Sequence, residues 1–283
     1  MKKKTRYFFV GLIVIFILVL AIPVTNWSQS SVKRLQERHE SPLAPIIMIP
    51  GSSATVNRFD TLVQKINQLD HQNHSLLKVK VFNDGHITYS GSIRARDNQP
   101  FIVVGFENNH DGYSNIKKQA KMFNQAFNQL TSRYNFNHFN GIGHSNGGLI
   151  YTAFLETYYT GKTARINRLM TIGSPYNFAE TSNRQTEMLK DFIKNRKNIP
   201  DNLIMYSVAG TQNYVADGLV PVSSVEAGKY IYQGTAKSYT QITVTGKLAQ
   251  HSALPQNSQV IELIQRYILE QQPRRRTPAD RRP

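Results

Sequence analysis

The chain has 283 residues, of which 40% are hydrophobic and 18% charged, a balance that excludes a disordered protein and supplies enough apolar surface for one sizeable core. Its formal net charge of +16 includes +4 in the first six residues and +4 in the last ten, which leaves +8 on the body. No cysteine is present, so disulfides are excluded and stability must come from packing; no base-reading motif or zinc-finger spacing accompanies the charge, so no specific nucleic-acid partner is implied.

The chain opens with "MKKKTR", and residues 7–24 then run for 18 positions without a charge. As a helix this segment would cover about 27 Å, close to the hydrocarbon thickness of a bilayer. Basic residues ahead of an apolar span stay on the cytoplasmic side. Residues 1–27 are therefore expected to be a basic cytoplasmic start and a transmembrane anchor, with the rest of the chain outside. The rival reading is a cleaved signal peptide, for which Ser28 and Ser30 supply small residues near a cut; it would make the protein secreted. Residues 28–43 read as a spacer and 273–283 as a basic disordered tail. For that tail the nearest polyanions outside the membrane are anionic lipid and wall polymer.

Within the body, "LAPIIMIPGSS" is an apolar run stopped by Pro50 and Gly51, the pattern of a buried strand entering a tight loop. Phe59, Leu62, Val63, Ile66 and Leu69 then fall on one face of a helix. "LLKVKVFNDGHITYSGSI" holds two alternating segments joined by "NDG", a hairpin pattern. After the apolar strand "PFIVVGFEN", Ile116, Ala120, Phe123, Phe127 and Leu130 recur at four and three, which gives one helical stripe. "HFNGIG" leads as a strand into a glycine-rich turn, "LIYTAFLETYY" continues as helix, and "INRLMTIGSP" is the next strand. Residues 177–202 are polar apart from Met188, Leu189, Phe192 and Ile193, the apolar side of a short helix that either caps a site or covers an ordinary crossover. "LIMYSVAG" and "SYTQITVTG" are late strands, and "NSQVIELIQRYILEQQ" is a closing helix. Strand and helix alternating in this way predict an α/β fold across 44–272, with a mostly parallel sheet covered on both faces and a small cap segment.

Gly143, Ser145 and Gly147 in "GIGHSNGG" match G-x-S-x-G between a strand and a helix. In such an elbow the backbone is strained and crowded, the glycines make room, and the serine hydroxyl stands clear at the sheet edge. A serine hydroxyl is a weak nucleophile and requires a base. Among the eight histidines, His251 in "AQHSALP" has the required setting, after the last strand and before the last helix. Asp217 in "VADGLVP" follows a strand and can orient that imidazole; a turn capped by Ser223 with Glu226 three residues on is expected just beyond it. Asp201 is the reserve acid, although it precedes its strand. For the oxyanion the expected donors are the backbone N–H of Asn146 and of Ser52 or Ser53. That assignment requires the first strand and the elbow strand to be neighbours.

"IIMIPGSSATVNRF", "GIGHSNGGLIYTAFL", "LMTIGSPYN", "VADGLVP" and "AQHSALP", in this order, resemble the lipase-like alpha/beta hydrolases of Gram-positive cell surfaces, over residues 44 to 270. That resemblance implies the alpha/beta-hydrolase fold and Ser145, Asp217 and His251 as catalytic triad. Relatives often carry His-Gly in the first loop and methionine after the nucleophile, where this chain has Pro50-Gly51 and Asn146.

The expected function is a membrane-tethered serine hydrolase acting on a small-molecule or lipid ester. Amide hydrolysis, acyl transfer on envelope substrates, and an idle surface binding module are the alternatives. No H-E-x-x-H and no dense carboxylate–histidine cluster point to a metal, and no cofactor is expected.

Overall fold

The structure, a computed structural model, describes residues 31–269 apart from 32, 34, 35, 71, 72 and 183. The expected anchor over residues 7–24 and the basic tail lie outside the described residues. Among those that are described, no helix is long and apolar enough to cross a membrane.

From Leu43 onwards the chain builds one sheet of eight strands. In chain order these are β1 (Ile46–Ile49), β2 (Leu76–Val81), β3 (Ile87–Gly91), β4 (Phe101–Phe106), β5 (His138–His144), β6 (Arg165–Ile172), β7 (Ile204–Gly210) and β8 (Ser238–Val244). Their order across the sheet is β3-β2-β4-β1-β5-β6-β7-β8. The β2–β3 hairpin is antiparallel and every other pairing is parallel. This is the mostly parallel α/β sheet expected from the strand and helix pattern, and it agrees with the alpha/beta-hydrolase fold that the resemblance implies.

Side chains alternate across a strand, so β1 divides its apolar residues between two cores. Ile46 and Met48 join the layer under α1 (Asp60–Asp70) and the C-terminal helix Ser258–Tyr267, where Leu62, Ile66, Val260 and Ile264 are fully buried. Ile47 and Ile49 face the opposite layer, built on α2 (Tyr113–Tyr134) and α3 (Asn146–Thr157). The α2 stripe is buried as its spacing predicts, and Asn135 ends the helix in the left-handed region. Strands buried on both faces explain why β1 and β4 read as unbroken apolar runs.

Two local expectations fail. Leu69 is 60% exposed at the end of α1, because the buried stripe stops at Ile66. Ser223 caps nothing: the short helix Val222–Glu226 begins after Pro221, whose backbone turns the chain without any side-chain cap.

The crossover between β6 and β7 contains α4 (Glu187–Asn195), capped by the Thr186 side chain accepting from Leu189 N–H. Met188, Leu189 and Phe192 are buried in the α2–α3 layer, Phe192 meets Tyr113 edge-on at 5.9 Å, and Asp191 accepts a hydrogen bond from the Tyr113 hydroxyl at 3.1 Å. Beneath it on α3, burial and then the negative charge of Asp191 push the Glu156 carboxyl up from 4.5 to about 9. The folded chain therefore holds a proton there that the unfolded chain releases above about 4.5. This contribution to stability is full in acid and declines as pH rises toward 9. Glu156→Gln is expected to raise the melting temperature at pH 8 and to leave it nearly unchanged at pH 4, as differential scanning calorimetry across that range can check.

Candidate active site

β1 and β5 are parallel neighbours with Ile49 opposite Gly143, so the loops that follow them leave the same edge of the sheet side by side. The β5 loop is the elbow. Ser145 has φ 55° and ψ −128°, a conformation that costs a non-glycine residue on the order of 1–3 kcal/mol. Its N–H donates to Ile172 O at 2.8 Å and its carbonyl accepts from Gly148 N–H at 3.1 Å, which holds the turn. Gly147 has no alternative: a Cβ there would stand 2.0 Å from Ile49 O, so helix α3 can start this close to β1 only without a side chain.

β7 carries the chain to Asp217, and the segment after β8 carries it to His251, the first residue of the 3₁₀ turn His251–Gln256. Asp217 and His251 are tied through the backbone, His251 N–H donating to Asp217 O at 2.8 Å. The three side chains meet in succession: His251 Nε2 is 2.9 Å from Ser145 Oγ, and His251 Nδ1 is 2.7 Å from Asp217 Oδ2. All three are buried, Asp217 most completely, at 1% exposure against 7% for each of the others. The second oxygen, Asp217 Oδ1, accepts from Leu219 N–H at 3.0 Å and Val220 N–H at 2.7 Å, which fixes the carboxyl group's rotation. Asp201, by contrast, is exposed in the turn that precedes β7, at the opposite end of a strand parallel to the elbow strand.

The first loop distinguishes the two serines offered as oxyanion donors. Ser53, at φ 59°, gives its N–H to Asn109 O at 2.8 Å and is already engaged. Ser52 N–H has no acceptor among the described residues. Asn146 N–H stands at the first position of α3, where no intrahelical acceptor exists. The Asn146 side chain also has a partner that spacing could not reveal, since its amide donates to Asp111 Oδ1 at 2.7 Å.

Sequence reasoning passed over three further contacts. His144 Nε2–H donates to the carbonyl of His251 at 3.1 Å, and an Arg58 N–H donates to the next carbonyl, Ser252 O. Together with the bond to Asp217 O, the peptide that carries the imidazole is held from three sides. Burial, and then the neighbouring Arg58 guanidinium and His251, push His144 well below the usual histidine range, so it serves as a neutral donor. Gly173, at φ 60°, lies under the group, where a Cβ would stand 3.3 Å from both Asp217 Oδ2 and His251 Nδ1. His144, Gly173 and Arg58 all lie inside quoted motifs and could have been suspected on that ground, but nothing in the sequence shows that the Arg58 side chain reaches Ser252 O. His144→Leu is expected to cost about 1–3 kcal/mol in a urea denaturation curve, because the His251 carbonyl loses its partner in a buried setting. The same variant should lower turnover roughly 10- to 100-fold through misplacement of the ring.

A family model described as "Alpha/beta hydrolase of unknown function (DUF915)" matches residues 33–271. Among solved structures, the chain is 51% identical to a candidate cell surface hydrolase of Lactobacillus plantarum WCFS1, with a TM-score of 0.74 over 82% of this chain and 94% of that one. A gene product of Listeria innocua is 30% identical with a TM-score of 0.73, over 82% and 95% of the two chains. No curated protein matches the sequence.

Proposed function

The chain belongs to the DUF915 family of alpha/beta hydrolases, and from that premise we propose that it is a serine hydrolase that cleaves carboxylic esters outside the cell membrane. One observation carries the reading: an unbroken pair of hydrogen bonds from a hydroxyl on a strained turn, through an imidazole, to a buried carboxylate.

In this mechanism Ser145 Oγ attacks the ester carbonyl while His251 Nε2 takes its proton, and Asp217 holds Nδ1–H and stabilises the imidazolium. The carbonyl oxygen becomes an oxyanion that accepts from the N–H groups of Ser52 and Asn146, aided by the positive end of α3. Collapse of the tetrahedral intermediate breaks the bond to the alcohol, which leaves with the proton from His251. Water then attacks the acyl-serine, gives its proton to His251, and the acid departs as Ser145 recovers its hydrogen.

The proposed location rests on the lysines of the first six residues and the uncharged segment behind them, read as a tether. It is also supported by likeness to the Lactobacillus plantarum protein described as a cell surface hydrolase. The function is tested by assaying activated esters, amides and lipids with native protein beside Ser145→Ala. Ester turnover confined to the native protein is the expected result, and equal turnover by both proteins would refute it.

A further inference from the structure

A groove of about 920 Å³ opens at the same edge of the sheet, between the β2–β3 turn, the loop after β4 and the outer side of α2. Its volume lies within the range of small-molecule sites. Its wall toward Ser145 is the segment from Glu107 to Asp111. Glu107, Asn108 and His110 line the groove, while Asn109 O takes the Ser53 N–H and Asp111 holds the side chain of Asn146. The segment is pinned from below by the buried Gln119, whose amide donates to Asn108 O at 2.6 Å and to His110 O at 3.2 Å. One wall thus serves both the loop next to the candidate nucleophile and the groove.

The polar groups in the groove are not equally available. Glu107 Oε2 is engaged by Asn83 N–H at 2.8 Å, and Asp84 Oδ1 accepts from His86 N–H at 3.0 Å and stands 2.6 Å from its ring. The two lysines that line the groove, Lys118 and Lys121, have no partner among the described residues. They lie three apart on α2, so they share a face of the helix. One oxygen of each acid is taken by a protein donor, while both lysines are open. The two lysines offer charge-assisted donors to a ligand with negative charge, and the Asn83 side-chain amide, with the second amide hydrogens of Asn115 and Gln125, whose first go to Asp111 O and Gly85 O, suits hydroxyl groups around that charge.

We propose that this groove binds the non-reacting part of the ester substrate, and that this part is an anionic, hydroxyl-rich group: a polyol or sugar bearing phosphate or carboxylate. The inference rests on the hydrolase reading for its link to Ser145. Binding energy collected here, away from the reacting carbonyl, would orient the ester at the nucleophile.

The direct test is isothermal titration of full-length Ser145→Ala protein with glycerol 3-phosphate, glucuronate and uncharged glycerol. Saturable binding of glycerol 3-phosphate or glucuronate, weakened at least tenfold by adding Lys118→Ala and Lys121→Ala and unaffected by Lys237→Ala, is the expected result. Which of the two anions binds identifies phosphate or carboxylate as the recognised group. No saturable heat with either anion, or an equal loss with Lys237→Ala, would overturn the proposal. The catalytic reading is scored separately: native protein should hydrolyse p-nitrophenyl acetate, and turnover should be unchanged within twofold in the Lys237→Ala control. Failure of native protein to hydrolyse that ester would count against the mechanism, whereas the titration alone decides the groove.

Discussion

Ser145→Ala is expected to lower kcat on an activated ester by about 10⁶, the size of effect seen when the nucleophile of a serine hydrolase is removed. Ser145 Oγ is the atom that would form the acyl bond, and its hydrogen bond is to His251 Nε2. Alanine keeps the Cβ and the backbone of the elbow, whose conformation is fixed by Ser145 N–H on Ile172 O and by the crowding around Gly147. Folding should therefore be retained, and circular dichroism of the variant should overlay that of the native protein while p-nitrophenyl acetate turnover disappears. A small rate above the uncatalysed reaction can persist, because Ser52 and Asn146 N–H would still polarise a bound carbonyl.

Asp217→Asn should cost about 10⁴ in kcat, the scale found when the orienting acid of a serine protease is made an amide. Here the hydrogen-bond pattern supplies the reason. Oδ1 accepts from Leu219 and Val220 N–H, so in the variant the amide oxygen keeps that side and the NH₂ group turns toward His251 Nδ1. Nδ1 must then accept, which moves the ring proton to Nε2, facing Ser145. An imidazole protonated at Nε2 cannot take a proton from the serine. The fold loses little, since the backbone bonds of Asp217 to Val220 and His251 are unaltered. Unchanged turnover in this variant would remove Asp217 from the mechanism, and Asp201 at the far end of β7 could not replace it without a different fold of that segment.

The residues that announce themselves in the sequence are those whose chemistry or stereochemistry has no cheap substitute. Gly143 and Gly147 bracket Ser145 because a side chain would meet backbone there, and Asp217 and His251 each follow a strand that ends at one edge of the sheet. Parallel pairing then brings together residues 106 positions apart, as the apolar strand pattern already suggests. Other contacts are invisible to such reasoning. Ser53 matches the donor pattern as well as Ser52 does, and only the position of Asn109, from a different loop, shows that its N–H is engaged. His144 reads as the variable residue of the elbow until the carbonyl of His251, 107 residues later, arrives beside it. Ser223 has the composition of a cap, yet Pro221 sets the start of that short helix through its backbone. Periodicity reports which face an element buries, and it carries no record of which loops meet.

The central claim is that Ser145 is made nucleophilic by His251 and Asp217, and it is tested most directly by treating the native protein with diisopropyl fluorophosphate and mapping the adduct by peptide mass spectrometry. A single adduct on Ser145, formed in step with loss of ester hydrolysis and strongly slowed in Asp217→Asn, is the predicted result. Ester hydrolysis that continues undiminished, or an adduct carried by a different serine, would contradict it.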